Sequence, residues 1–320
     1  MPRAPIACVL VAWALLLAGC GGSAGPGRPA TLVLDFTPNA VHAGIYSTLA
    51  GGFDRAAGVR LDVRQPSSST DSVKLLLSGR ADFAVLDIHD LAIARAAGRD
   101  IVGVLALVAR PLAAVLAGPG VRTPRELAGR LVGVTGVPSD DAVLRSVVAG
   151  GGGDPARVRE VTIGFNAVPA LLGGHVAAAT AFWDVEGVAL RRRRPGIHEF
   201  RVDDYGAPAY PELVLSMTGK RLRSEPKLAA ATIAALRRGY AVTVADPERS
   251  AADELARVPG LDRTLLLAEL AALRGAFTAG PGQPFGAFDL ARLRAWARWE
   301  ARFGIVNRVP DAASMFAGAR

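Results

Sequence analysis

The sequence predicts an α/β protein of two lobes with a cleft between them. Short apolar segments alternate with helical patterns from residue 31 onward. The alternation breaks off near residue 120 and starts again, and after one last strand the remainder is helical. Strands alternating with helices argue for mostly parallel sheets with both faces covered.

In the first lobe, Thr31 to Asp35 (TLVLD) reads as a strand. It ends in the turn and helix start Thr37-Pro38-Asn39, and His42 to Ala57 has a helical pattern. Arg60 to Arg64 is a second strand. The polar loop Ser67 to Ser72 opens a helix at Val73 to Ser78. Ala81 to Leu86 is a strand, Leu91 to Ala97 a helix, and Ile101 to Ala109 a strand. In the second lobe, Thr123-Pro124-Arg125-Glu126-Leu127 reads as a helix start and Leu131 to Thr135 as a strand. Pro138-Ser139-Asp140-Asp141 caps the helix Ala142 to Ala149. Val161 to Phe165 is a strand, Val168 to Leu172 a short helix and Ala177 to Trp183 a strand. Leu213 to Met217 is the final strand, followed by helices at Pro226 to Ala245, Pro247 to Arg257, Thr264 to Leu273 and Leu290 to Phe303. Restart and return imply a discontinuous first lobe (31–115 and 213–320), a second lobe (116–212) and two crossovers. Ligands in such folds bind between lobes, at the C-terminal ends of strands.

The N-terminus carries its own signal. Arg3 precedes an apolar run from Ile6 to Leu17, which ends in Leu17-Ala18-Gly19-Cys20. A basic start, a short apolar core and small residues describe an export signal at 1–19. The run is short of the ~20 apolar residues a spanning helix needs. Leu-Ala-Gly-Cys resembles the bacterial lipobox, which implies acylation of Cys20; a plain secretory signal with an incidental cysteine is the alternative. Gly21 to Ala30 (GGSAGPGRPA) reads as a flexible linker, so 20–30 forms a lipidated stalk. The folded body is then expected on the outer face of the bacterial cytoplasmic membrane, lipid-anchored and extracytoplasmic.

Composition narrows the function. Of the two cysteines, Cys8 lies in the expected signal, so the mature chain has no disulfide. With 51% apolar residues, burial alone can stabilise it. The formal charge is +8, but the densest basic run, Arg191 to Arg194, has no aromatic interleaving. It reads as a solvated helix end or a contact with anionic headgroups, not as a nucleic-acid surface.

LDFTPNAVHAGIY (Leu34 to Tyr46) resembles the first motif of bacterial binding proteins for thiamine-pyrimidine precursors. Those are substrate-binding components of ABC importers, related to fungal pyrimidine synthases of thiamine biosynthesis. Phe36 stands where that family usually has Trp. GRADFAVLD (Gly79 to Asp87), RTPRELAGRLVGVTGVPSDDAVL (Arg122 to Leu144) and FWDVEGVAL (Phe182 to Leu190) resemble later family motifs. The likeness is dense to residue 190 and looser beyond. It implies a periplasmic-binding-protein type II fold, an ABC permease as partner, and a small aromatic heterocycle as ligand, a 4-aminopyrimidine thiamine precursor.

The candidate ligand residues are Asp35, Phe36, Asn39, His42, Asp87, His89, Trp183, Asp184 and Glu186. Asp35 can cap a helix or meet the ligand. Asn39 supplies donor and acceptor, and His42, one turn on, is a ring donor or a structural residue. Tyr46 reads as core. Asp87 and His89 end another strand at the height of Asp35. Trp183 either packs in the core or, with Phe36, sandwiches a flat ring. Glu186, Asp184 and Asn39 would read ring nitrogens, and Glu186 can accept charge-assisted N–H bonds.

Anion sites use helix N-termini and arginine. The acids along this edge, with Asp140 and Asp141 opening a helix, suit a neutral or cationic ligand rich in N–H donors. Ser67-Ser68-Ser69-Thr70 could still hold an anionic substituent. An enzyme is not expected. The fungal relatives carry a cysteine-rich iron-binding segment, whereas this mature chain keeps only Cys20. Its histidines (His42, His89, His175, His198) lack metal-ligand spacing, and Gly150 to Gly153 lacks the Lys-Ser/Thr of a phosphate loop. The expectation is a monomer without metal or cofactor. A flavin, a sulfonate or nitrate, or a role in ligand sensing remain the alternatives.

Overall fold

The structure, a computed structural model, describes residues 27–67, 71–278, 280 and 282–319. The export signal (1–19), Cys20 and most of the expected stalk lie outside the described residues, as do Ser68 to Thr70. No helix among the described residues is long and apolar enough to cross a membrane.

The first half of the chain forms β1 (Arg28–Val33), α1 (Ala43–Ala50), α2 (Phe53–Ala56), β2 (Val59–Arg64), α3 (Asp71–Leu77), β3 (Phe83–Asp87), α4 (Ile88–Ala96) and β4 (Ile101–Val108). It crosses at 109–112 into β5 (Ala113–Ala117), β6 (Leu131–Val134), α5 (Asp140–Gly150), β7 (Arg159–Thr162), α6 (Ala167–Leu172), β8 (Ala178–Phe182), α7 (Glu186–Arg193) and β9 (His198–Arg201). A second crossover returns to β10 (Leu213–Thr218). The helices α8 (Gly219–Ser224), α9 (Pro226–Ala245), α10 (Pro247–Leu255), α11 (Arg263–Leu273), α12 (Leu290–Arg302) and α13 (Ala312–Met315) follow.

The two sheets have matching topology. One runs β2-β1-β3-β10-β4 and the other β7-β6-β8-β5-β9. In each, the fourth strand is antiparallel to its neighbours and is the first strand after a crossover. The central strands of both sheets are buried on both faces, as mostly parallel sheets require, while the edge strand β7 is exposed. Along β10, Leu213 and Leu215 join one core cluster and Val214 the other; along β5, Leu116 and Val115 divide the same way.

Several boundaries differ from expectation for local reasons. β1 begins at Arg28, inside the expected linker, because Arg28 to Val33 pair in register with Val59 to Arg64. Pro29 is tolerated there. The Arg28 N–H donates to Gly58 on the β2 side, so the Pro29 nitrogen faces β3, which begins pairing only at Leu32. The expected helix from His42 to Ala57 is three pieces: a 3-10 turn at Ala40–His42, then α1 and α2, separated at Gly51-Gly52, where Gly52 takes φ +63°. β5 and β9 were not expected. Arg110-Pro111 interrupts one long apolar run, and the part after it starts the second sheet. The sheet changes between Val108 and Ala113, so Ala113 to Val115 belong to the second sheet rather than to the first lobe.

α1 crosses α9 at very close range. A Cβ on Gly239 would lie 2.1 Å from the Gly44 carbonyl oxygen and 2.8 Å from the Thr48 nitrogen. Backbone cannot yield as a side-chain tip does, so overpacking here should cost about 1–3 kcal/mol. Gly239→Ala should therefore lower the unfolding free energy by that amount in chemical denaturation; an unchanged midpoint would contradict this close crossing.

Candidate ligand-binding site

A cavity of about 290 Å3 lies between the sheets. Its wall is built from strand ends and the segments after them: Asp35 to Asn39 after β1, Asp87 to Asp90 after β3, Thr135 to Asp140 after β6, and Phe182 to Glu186 after β8. Leu112 to Ala114 and Glu212-Leu213 bring both crossovers into the wall, and α11 adds Glu269.

Each side chain is aimed by local structure. Asn39 caps the 3-10 turn: its Oδ1 accepts the Val41 N–H at 3.1 Å and its amide donates to the Thr37 carbonyl at 3.1 Å. The Asn39 N–H donates to His42 Nδ1 at 3.2 Å, which completes a capping box. That bond leaves the proton on Nε2, which donates to Asp35 Oδ1 at 2.7 Å. His42 is thus fully buried and outside the cavity, where it orients Asp35. The expectation that it meets the ligand is corrected, and Asp35 is no helix cap. Asp87 caps α4 by accepting the His89 N–H at 2.7 Å.

Trp183 is also corrected. It is 1% exposed, its indole N–H donates to the Pro111 carbonyl at 2.9 Å, and the Arg201 guanidinium sits 4.0 Å from its ring centre. Successive residues at a strand end face opposite ways, so Phe182 takes the cavity side and Trp183 the core. The aromatic surface of the cavity comes instead from Phe36, Phe165 and Phe182. Phe36 and Phe165, one from each lobe, meet with ring centres 4.9 Å apart. Phe165 and Phe182 lay in stretches already read as strands, but nothing in the sequence said which of their residues faced inward.

The electrostatics are one-sided. Asp35, Asp87, Asp90, Asp140, Asp184, Glu186, Asp262, Glu212 and Glu269 line the cavity, and no lysine or arginine does among the described residues. Asp184 is fully buried, and neither of its oxygens meets a donor from another residue. Burial, reinforced by Glu186, pushes its carboxyl well above the usual range. Glu186 is also raised by burial, although one oxygen accepts the Phe182 N–H at 3.1 Å. Burial and Asp87 push Glu212 up to about 8, while burial pushes Asp90 and Glu269 each up to about 7. Asp140 accepts the N–H groups of Thr135 and Gly136. It thereby fills from within a place where backbone donors could otherwise hold an anion.

His89 joins Asp87 at the wall but is anchored from behind: Nδ1 pairs with Glu300 on α12, and Nε2 lies 3.3 Å from the Tyr210 hydroxyl. Burial opposes its charge, but Glu300 and Asp87 outweigh that and push it up to about 10. Sequence reasoning missed Glu212, Glu269, Glu300 and Tyr210. The only hint was an acid directly before a fully apolar strand, in Pro211-Glu212-Leu213. The candidate residues Asp35, Phe36, Asn39, Asp87, His89, Asp184 and Glu186 do converge on this cavity.

Two five-stranded sheets of this topology around a cleft define the fold of the periplasmic solute-binding proteins. The aliphatic sulphonate binding protein SsuA of Escherichia coli superposes with a TM-score of 0.72 at 14% identity, over 90% of this chain and 97% of that one. The nitrate-binding protein NrtA of Synechocystis PCC 6803 superposes at 0.71 with 12% identity, over 91% and 86%. The family is set by sequence: the model described as NMT1/THI5 like matches residues 39–250, and the chain belongs to that family. It is 30% identical over 222 residues to the formylaminopyrimidine-binding protein of Halalkalibacterium halodurans, covering 68% of this chain and 67% of that protein.

The raised carboxyls fix a pH dependence. In an unfolded chain Asp and Glu titrate near 4, so each of these groups holds its proton more tightly when folded. Stability present at low pH is then lost as pH climbs through the folded values of about 7 to 8. His89 acts in the same direction between its unfolded value of about 6.5 and its folded value of about 10. The ligand-free protein should therefore melt at a higher temperature at pH ~5.5 than at ~8.5. A calorimetric midpoint that rises across that interval would contradict this charge arrangement.

Proposed function

We propose that this chain is the extracytoplasmic binding component of an ABC importer. Its ligand is a small flat heterocycle rich in N–H donors, a 4-aminopyrimidine thiamine precursor. The observation that carries this reading is Asp184: a buried carboxylate with no donor from another residue, at the wall of a cavity without lysine or arginine among the described residues. An exocyclic amino group supplies the missing donors, and Phe36, Phe165 and Phe182 offer apolar surface to a ring. The likeness to a formylaminopyrimidine-binding protein supports the same ligand class.

The cavity, at about 290 Å3, stands at the low end of the ~300–1,000 Å3 usual for ligand sites. That suits a single substituted ring better than a three-ring flavin. The acids and the inward-turned Asp140 disfavour sulfonate and nitrate. Acylation at Cys20, a permease partner, a monomeric state and a role in binding rather than catalysis belong to the same reading.

The test is calorimetric titration of the purified protein with hydroxymethyl- and formylaminomethyl-aminopyrimidine, riboflavin, taurine and nitrate. Only the pyrimidines should bind. Each lost charge-assisted hydrogen bond costs ~1.5–3 kcal/mol, so Asp184→Asn and Glu186→Ala should each weaken binding about 10-fold or more. A Glu186→Ala protein that binds as tightly as wild type, or binding of riboflavin or an anion alone, would sink the assignment.

A further inference from the structure

We propose that Asp87 and Glu212 form a subsite for an ammonium group, so that the ligand is a ring carrying a cationic aminoalkyl arm. This rests on the reading above for the ring and adds the charge of its substituent.

The two carboxylates are held side by side by the sheet. Asp87 ends β3 opposite Leu213 of the antiparallel β10, and the Ile88 N–H donates to the Glu212 carbonyl at 2.9 Å. One oxygen of each is already committed: Asp87 Oδ1 to the His89 N–H, and Glu212 Oε2 to the Leu112 N–H at 2.6 Å. Glu212 Oε1 is left buried without a partner on a residue that lines the cavity. Carboxylate oxygens of Asp87 and Glu212 and a ring nitrogen of His89 lie within 4.8 Å of one another. Two acceptors bridged by a tetrahedral nitrogen at hydrogen-bond distance sit about 4.6 Å apart.

The number of acceptors favours an ammonium. His89 acts on both carboxyls, but its Nδ1 is already paired with Glu300. Asp35 and Asp90 act on this cluster with the same sign as the two carboxylates. Arg110, at the neighbouring crossover, is bound to Asp203 and Asp204. A hydroxyl offers one donor and no charge; an ammonium offers three donors and neutralises the pair.

The experiment is calorimetric titration of the protein with 2-methyl-4-aminopyrimidines bearing aminomethyl, hydroxymethyl or formylaminomethyl at carbon 5, in wild type, Glu212→Gln and Asp87→Asn. The asparagine keeps the cap of α4, so one variant stays interpretable if the other fails to fold. Wild type should bind the aminomethyl compound at least 10-fold more tightly than the hydroxymethyl one, and that ratio should fall below about threefold in the variants. If wild type binds the neutral compounds as tightly or more tightly, the subsite is overturned and the ring reading stands. If the preference survives in both variants, the assignment to these residues is overturned. If none of the three binds, both readings fall. A thermal rise with Zn2+ or Mg2+ alone, lost in the variants, would overturn the ammonium in favour of an inorganic cation.

Discussion

Glu212 is the point through which the two crossovers are tied. It stands at the end of the return path, immediately before β10, and its Oε2 accepts the N–H of Leu112 on the outward path. From the other side, Trp183 holds the same segment twice: its backbone N–H donates to the Leu112 carbonyl at 3.0 Å and its indole to the Pro111 carbonyl. A buried N–H left without its acceptor costs ~1–3 kcal/mol, so this crossover depends on a residue from each lobe. The aim of the site follows. With Trp183 fixed in the core, Phe182 must face the cavity, and Asp184 and Glu186 follow at its wall.

The same carboxylate shows why the cavity is electrostatically unusual. A buried acid is ordinarily paired with a cation or saturated by donors. Here only one oxygen of Glu212 is satisfied, Asp184 has no outside donor at all, and Arg201 and Arg110 are engaged elsewhere. Arg201 lies over the Trp183 ring and binds Glu199, and Arg110 holds Asp203. Burial raises each wall carboxyl whose shift is resolved and so favours protonation of those acids. A ligand that brings N–H donors or positive charge replaces those protons and stabilises the ionised acids. The electrostatic term that would work against an anion therefore works in favour of an aminated ring.

Much of this was legible in the chain, and the remainder was not for definite reasons. Apolar runs and caps located α9, α11 and α12 to within a residue, because Pro226, Asp262 and Asp289 mark helix starts in the sequence itself. The acids at strand ends were legible as a group, since strand C-termini face the cleft in any such fold. Which of two neighbours turns inward was not legible, and so Trp183 was read for Phe182. β5 was hidden because a fully buried five-residue strand, Ala113 to Ala117, carries no alternation to announce it. Glu212 and Glu300 were hidden because their partners lie 100 and 211 residues away.

The C-terminal helices beyond residue 250, outside the stretch matched by the family model, also shape the site. α12 carries Glu300 to His89 from behind the first sheet, and it reaches the second lobe, where the Trp299 indole donates to Ser146 of α5 at 3.1 Å. On another face α11 packs against α7, next to Glu269 and Glu186. The lobes therefore meet on both flanks of the cavity as well as at the Phe36–Phe165 contact. The Phe36–Phe165 contact has an exposed ring on one side, since Phe165 is 53% exposed, and it buries no polar group. The two flanks thus differ in kind: a buried hydrogen bond joins α5 to α12, and a partly exposed ring contact joins Phe36 to Phe165.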